Sequence, residues 1–355
     1  MKSFRIGNRV LSDKTPVFVI AEAGVNHNGN LKLAKKLVAE AKRAGADCIK
    51  FQTFQAEELV TLSAPKADYQ LQTTDPSESQ FAMLKKLELP KMAYEELMKE
   101  CSKENILFLS TPYSFKDVDF LDELGVPGFK IASGQLTEYS FLAHVAKKKK
   151  PIFISTGMCT LEDIRGAVKT FRDEAHNNFV LLQCTTNYPS HMEDAHLRVI
   201  PALKLAFQIN VGYSDHTVGD TAILGAVALG ACVIEKHFTL DRRTPGPDHS
   251  SSMEPREFAE LVKKIRNLEK ALGQSGKTLT PMEAKNALGM KRSITSTQLI
   301  KRGTTIQLDM LTFKRPATGL HPNLLNKVIG KRAAKDISPD TFLSEEMVES
   351  FRIPS

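Results

Sequence analysis

A (β/α)8 TIM barrel followed by a small, mostly β module is the architecture that the sequence predicts, an α/β fold resting on three observations. Eight short apolar or β-branched runs lie in the first 270 or so residues, at 17–21, 48–52, 106–110, 128–132, 151–155, 179–183, 209–212 and 232–236. Several are nearly all apolar, as parallel strands covered on both faces should be. Amphipathic stretches alternate with them, and after Leu272 the chain changes character. Eight strand–helix units in that length is the barrel count. A doubly wound open sheet is disfavoured by the count and by the lack of a GxGxxG turn after the first strand.

The elements follow in order. After the first strand, residues 31–44 place Leu33, Leu37, Val38 and Ala41 on one stripe, a helix with one buried face. Residues 54–90 exceed an ordinary βα connection and carry Pro65, Asp75-Pro76 and a helical piece near 80–87. They read as a loop over the working face. Lys147 to Lys150 precede Pro151 at a helix end, where cations suit the helix dipole. Leu161, Ile164, Val168 and Phe171 mark the helix after the fifth strand, residues 221–229 and 254–272 behave alike, and Glu254-Pro255 is a helix start. The barrel is assigned to residues 1–272, a linker to 273–290 and the module to 291–355. Within the module, short strands are expected at 293–297, 300–303, 305–307, 311–314 and 330–334. A unit of that size builds a small core, so it is expected to pack on another surface.

With 355 residues, 42% hydrophobic and 25% charged, the composition is that of a globular chain. No apolar run approaches the roughly 20 residues that span a bilayer, and no apolar segment follows Met1, so a cytoplasmic protein without membrane attachment is expected. Five cysteines with no paired spacing read as reduced thiols. The net charge of +7 is spread along the chain rather than concentrated, so no nucleic-acid partner is expected.

Barrel enzymes carry their polar working groups at the C-terminal ends of the strands. Here those ends supply Glu22, Lys50 with Gln52, Ser110-Thr111, Lys130 with Ser133 and Gln135, Ser155-Thr156, Asn187-Tyr188, Ser214 with His216, and His237. Two lysines among hydroxyls suit a small anion such as a phosphorylated acid. His216 and His237 end neighbouring strands, about 4.8 Å apart, so both imidazoles can reach one divalent metal with open positions for Lewis-acid work. His27 is a candidate third member. Asp215 and Glu235 flank the pair; either orients an imidazole, or Glu235 points outward to a helix. Glu22 is the best carboxylate for polarising substrate or water, or else pairs with a lysine. Asp248, in the rigid Pro245-Gly246-Pro247 turn, is placed to hold sugar hydroxyls or simply forms the turn.

The runs at 20–29 (IAEAGVNHNG), 49–52 (IKFQ), 130–134 (KIASG), 154–158 (ISTGM), 212–217 (GYSDHT), 235–238 (EKHF) and 245–248 (PGPD) resemble the sialic acid (N-acetylneuraminate) synthase family, over essentially the whole chain. The C-terminal module, with Lys314-Arg315-Pro316, resembles that family's antifreeze-like SAF domain. The resemblance implies condensation of phosphoenolpyruvate with N-acetylmannosamine and water to a nine-carbon 2-keto sugar acid plus phosphate. It implies phosphoenolpyruvate contacts from Lys50, Thr111, Lys130, Ser133, Asn187 and Ser214, and Mn2+ or Mg2+ on His216 and His237. It also implies sugar contacts from Gln52, Gln135, Tyr188 and Asp248, and from Arg315 reaching across a domain-swapped homodimer. Gln135 departs from the pattern, standing where synthases using N-acetylmannosamine commonly carry an acidic residue; exchanging Glu for Gln removes a charge and adds a donor. A legionaminic acid synthase using 2,4-diacetamido-2,4,6-trideoxymannose is the alternative. More distant ones are a metal-dependent aldolase, a Schiff-base aldolase using Lys130, and ice binding by the module, which its Lys301, Arg302, Lys314, Arg315, Lys327, Lys331 and Arg332 oppose.

Overall fold

A computed structural model of the chain describes residues 4–352, in two compact units that divide after Gly273. Residues 1–3, part of the segment read as lacking a leader, lie outside the described residues. In chain order the first unit comprises β1 (Phe4–Ile6), β2 (Arg9–Leu11), β3 (Phe18–Gly24), α1 (Leu31–Arg43), β4 (Cys48–Thr53), α2 (Ala56–Leu59), α3 (Asp68–Thr73), α4 (Gln80–Leu87), α5 (Lys91–Glu104), β5 (Leu107–Pro112) and α6 (Phe115–Glu123). It continues through β6 (Phe129–Ile131), α7 (Tyr139–Lys147), β7 (Ile152–Ser155), α8 (Leu161–Asp173), β8 (Phe179–Cys184), α9 (Val199–Phe207), β9 (Val211–Asp215), α10 (Thr221–Ala228), β10 (Val233–His237) and α11 (Pro255–Leu272).

Strands β3 to β10 form one parallel eight-stranded sheet in the order β5-β4-β3-β10-β9-β8-β7-β6, and β5 and β6 lie side by side where it closes on itself. Helix α1 shows why these segments settle where they do. Asn30 caps it, its side-chain oxygen accepting from the Lys32 and Leu33 amides, and Ala34, Leu37, Val38 and Ala41 are buried while Lys42 and Arg43 close the last turn. Lys148 and Lys150 pair with Asp119 and Asp122, a structural use of the lysine run.

The hairpin β1–β2 was not anticipated from the sequence. It turns at Gly7, which holds φ +53°, and pairs Phe4 with Leu11 and Ile6 with Arg9. Phe4, Ile6 and Leu11 are buried against Phe18, Phe153, Val180 and Val233, from inward positions near the strand starts. The Phe4 and Phe153 rings meet edge to face at 5.0 Å. The hairpin therefore stops the N-terminal end of the barrel, opposite the end that carries the polar groups.

In the second unit, α12 (Pro281–Met290) occupies much of the stretch expected to be a linker. A capping box, Thr280 with Glu283, and Pro281 in the first turn start this helix. Only two of the expected short strands form, β11 (Ser293–Ser296) and β12 (Leu311–Lys314), paired antiparallel. The other segments meet through single bridges, Ile300 with Ile337, Thr305 with Arg332 and Ala333 with Val348. One short helix, α13 (Leu325–Val328), completes the unit. Ile294, Ile300, Ile306, Val328, Ile337 and Leu343 are among the residues that give it a core of its own. No helix among the described residues is long and apolar enough to cross a membrane.

Candidate active site

The C-terminal strand ends surround a cavity of about 480 Å3 in the first unit. Strand alternation decides which side chains reach it. On β10, Glu235 and His237 face inward and line the cavity, while Lys236 points outward. On β9, Ser214 faces inward and Asp215 outward. Asp215 and Lys236 are register partners and close an ion pair of 2.7 Å behind the barrel wall. Asp215 also accepts from the Tyr213 hydroxyl and from the amide and hydroxyl of Thr217. Neither Asp215 nor Glu235 makes a hydrogen bond to an imidazole, so the open question about these two carboxylates resolves with Asp215 tying β9 to β10 and Glu235 serving the lysines.

Four buried charges form the floor. Lys50 Nζ lies 2.7 Å from Glu22 and 3.9 Å from Glu235, and donates to Thr111 Oγ1. Lys130 Nζ donates to Ser155 Oγ at 2.7 Å and lies 3.5 Å from Glu235, which accepts from Ser214 Oγ. Burial, partly opposed by Lys50 and reinforced by Glu235, raises the Glu22 carboxyl to about 7. Burial lowers Lys130, incompletely offset by Glu235. For Lys50 the same burial is outweighed by Glu22 and Glu235, which hold it above its usual value. Two cations, two carboxylates and surrounding hydroxyls can exchange their internal partners for an incoming polyanion.

Above the floor, the rings of His216 and His237 stand 5.3 Å apart. His216 Nδ1 meets the Thr185 carbonyl at 2.7 Å. A carbonyl only accepts, so Nδ1 carries the hydrogen and Nε2 is free to bind. His237 Nδ1 is buried with no hydrogen-bond partner, 3.8 Å from Asp248, and burial with nearby cations keeps this ring neutral. Two imidazoles with available nitrogens fit a divalent metal whose other positions go to substrate or water. Among the described residues no set of three or more His, Cys, Asp or Glu is arranged to hold one. His27 does not join them: its Nδ1 accepts from the Gly29 amide and its ring packs on Phe51. Asp248 is buried at the cavity wall, and desolvation raises its carboxyl to about 6. Gly24, at φ +51°, makes room here. A Cβ would come within 3.2 Å of both Gln52 and Glu22.

Tyr188 covers His216 at 4.1 Å between ring centroids and stands edge-on to His237 at 5.5 Å. Tyr69, from α3 in the long β4 connection, packs on Tyr188 at 5.0 Å. The connection therefore does form a wall of the cavity, with Leu59, Val60, Met83 and Leu84 as its apolar side. Ser133 lines the cavity and its Oγ accepts from the Gly157 amide. Gln52 and Gln135 line it as well. One expected residue turns away from the cavity. Asn187 is exposed, its side-chain oxygen turned back to the Tyr188 amide, and Thr186 and Cys184 line the cavity at that point. Arg315 belongs to the second unit, exposed just after β12. Sequence reasoning missed Tyr69, Tyr113 and Glu138. Glu138 was open to inference, since it lies three residues past Gln135.

The profile of the NeuB family matches residues 37–277, and that of the SAF domain matches residues 291–349. The chain is 45% identical to the N,N'-diacetyllegionaminic acid synthase of Campylobacter jejuni, over 92% of this chain and 98% of that one. It is 38% identical to the N-acetylneuraminate-9-phosphate synthase of Mus musculus, over 96% and 95%. Among solved structures it resembles the N-acetylneuraminic acid synthetase of Leptospira borgpetersenii in complex with citrate, with a TM-score of 0.72 and 34% identity, over 80% of this chain and 95% of that one.

Proposed function

The chain belongs to the NeuB family, and from that premise we propose that it is a nonulosonate synthase, a phosphoenolpyruvate-dependent enzyme that forms a carbon–carbon bond to an N-acetylated amino sugar. The observation that carries this reading is the floor of Lys50 and Lys130 beneath two available imidazoles, all inside one cavity. Between acceptors, we favour 2,4-diacetamido-2,4,6-trideoxymannose over N-acetylmannosamine. Identity is higher to the legionaminic acid synthase, at 45%, than to the neuraminate-phosphate synthase, at 38%, and Gln135 departs from the acidic residue that the resemblance associates with N-acetylmannosamine.

On this reading Lys50 and Lys130, with Thr111, Ser133 and Ser214, receive the phosphate and carboxylate of phosphoenolpyruvate, and Glu22 and Glu235 yield their ion pairs to it. Asn187 is not assigned to this set, because its side chain turns to its own backbone. His216 and His237 would hold Mn2+ or Mg2+, which when bound polarises the sugar aldehyde. C3 of phosphoenolpyruvate forms its bond to the aldehyde carbon. Water adds at C2, and the phosphate leaves with cleavage of its C–O bond. Glu22, poised near neutral pH, takes one proton from that water and returns it to the former aldehyde oxygen. The other water proton leaves on the phosphate. Tyr69, Tyr188 and the apolar wall exclude bulk water, which strengthens every charge on the floor. A homodimer in which Arg315 serves the neighbouring barrel accompanies this proposal from the resemblance, and a cytoplasmic setting from the unpaired cysteines. The test is phosphate release from phosphoenolpyruvate with Mn2+, with each sugar separately and with EDTA controls. Sugar-dependent, EDTA-sensitive release supports the reading. Folded, metal-loaded protein that releases none with either sugar refutes it, and product without phosphate would favour the aldolase instead.

A further inference from the structure

Two polar groups on one wall of the cavity have no partner among the described residues. Gln135 is buried, and its Oε1 accepts from the Ala132 amide at 3.4 Å, which fixes the orientation of the carboxamide. Its Nε2 is left buried with nothing to donate to. Glu138 follows one turn later, its amide donating to the Gln135 carbonyl at 3.0 Å. It occupies the N-cap position of α7, yet its side chain makes no capping bond. The carboxylate makes no ion pair either, and it lines the cavity at the rim. One wall of the cavity thus carries a buried donor without a partner and, one turn later at the exposed rim, a carboxylate without an ion pair, with Met158 also in the lining. A secondary amide is the complement of such a pair, with one carbonyl, one N–H and a methyl group.

Position in the barrel selects which amide. Gln135 and Glu138 follow β6, the fourth barrel strand, which stands across the mouth from β10, the eighth, which carries His237. An acceptor whose aldehyde lies at the imidazoles extends its remote end toward this wall. We propose that Gln135 and Glu138 grip the second acetamido group of the acceptor sugar, the one that 2,4-diacetamido-2,4,6-trideoxymannose carries and N-acetylmannosamine lacks. The proposal rests on the nonulosonate reading of the same cavity. Gln135 donates to the acetamido carbonyl and Glu138 accepts from its N–H. Partial burial raises the Glu138 carboxyl, as expected for a group waiting for a donor.

The experiment measures phosphate release with both sugars for the wild type, Gln135→Glu and Glu138→Gln, each checked for an unchanged melting temperature. The wild type should favour the diacetamido sugar. Each variant should lower the ratio of the two kcat/KM values about tenfold, chiefly through KM for the diacetamido sugar, as expected when one buried polar contact goes unmade. A ratio that stays put in either folded variant overturns the pair. So does a wild type that prefers N-acetylmannosamine, or a fall in kcat common to both sugars with KM unmoved. In those cases phosphate release still stands and only the assignment of this wall fails. Absence of release with both sugars from the wild type would overturn the synthase reading itself.

Discussion

Lys236→Met tests whether the outward ion pair holds the two histidine-bearing strands in register. Both side chains are essentially inaccessible, at 1% and 0%, so water cannot replace what is lost. Removing one partner of a buried pair costs about 3–5 kcal/mol, because the other charge stays buried. Asp215 keeps three donors, from the Tyr213 hydroxyl and from the Thr217 amide and hydroxyl, which argues for the lower end, about 3 kcal/mol. The Thr217 carbonyl also loses the donor that Lys236 gives it. At about 2 °C per kcal/mol for a unit of this size, the melting temperature should fall by about 6 °C. Thermal scans of Lys236→Met, Asp215→Asn and the double variant close a cycle. The double variant should be less destabilised than the sum of the singles by about 2 kcal/mol. A drop under 1 °C for Lys236→Met, or strictly additive losses, would refute the argument that this pair ties β9 to β10.

Further outcomes follow from the same geometry. Lys130→Met should raise KM for phosphoenolpyruvate by about two orders of magnitude, since Glu235 would then lack one of its two lysines and the anion one of its two charges; titration with phosphoenolpyruvate reads this directly. Because Glu22 must be ionised to accept a proton, kcat/KM should climb as pH rises through about 7 and then level off, and Glu22→Gln should remove that limb along with most activity. The same shift has the opposite sign for stability. A carboxyl raised from 4.5 to about 7 holds its proton longer when folded, so its contribution is complete below pH 4.5 and is lost as pH rises to about 7. Comparing melting curves of wild type and Glu22→Gln across that window checks it. Phe4→Ala should cost about 3–5 kcal/mol by emptying the stopper at the barrel base, with KM for both substrates unaltered; a loss under 1 kcal/mol would show the hairpin to be dispensable.

The barrel was legible because parallel strands buried on both faces write themselves as short apolar runs, and because the polar residues at their ends stand out against those runs. Glu22, Lys50, Lys130, His216 and His237 were found that way. What alternation alone left open was direction. One residue of register separates Glu235, which faces the lysines, from Lys236, which faces a helix, and only the observed strand fixes that phase. The β1–β2 hairpin was missed because each strand has three residues, too few for a period to show, although Gly7-Asn8 between apolar residues is a hairpin signal. Tyr69 escaped for a different reason. Its contact with Tyr188 joins residues far apart in sequence, and no local pattern encodes that approach. In the second unit, expected strands shrink to single bridges because the chain reverses every few residues around a small core.

The stopper at the base of the barrel has a consequence for synthesis on the ribosome. Phe4, Ile6 and Leu11 are translated long before part of the surface that receives them, Val180, Leu182, Cys232 and Val233. At about 5–20 residues per second, the hairpin emerges roughly 10–50 s before its last contacts exist. During that interval three large apolar side chains of the nascent chain lack part of their native packing surface. The hairpin is therefore made well before it can be fully seated, and the interval is when chaperone capture would act on it most strongly.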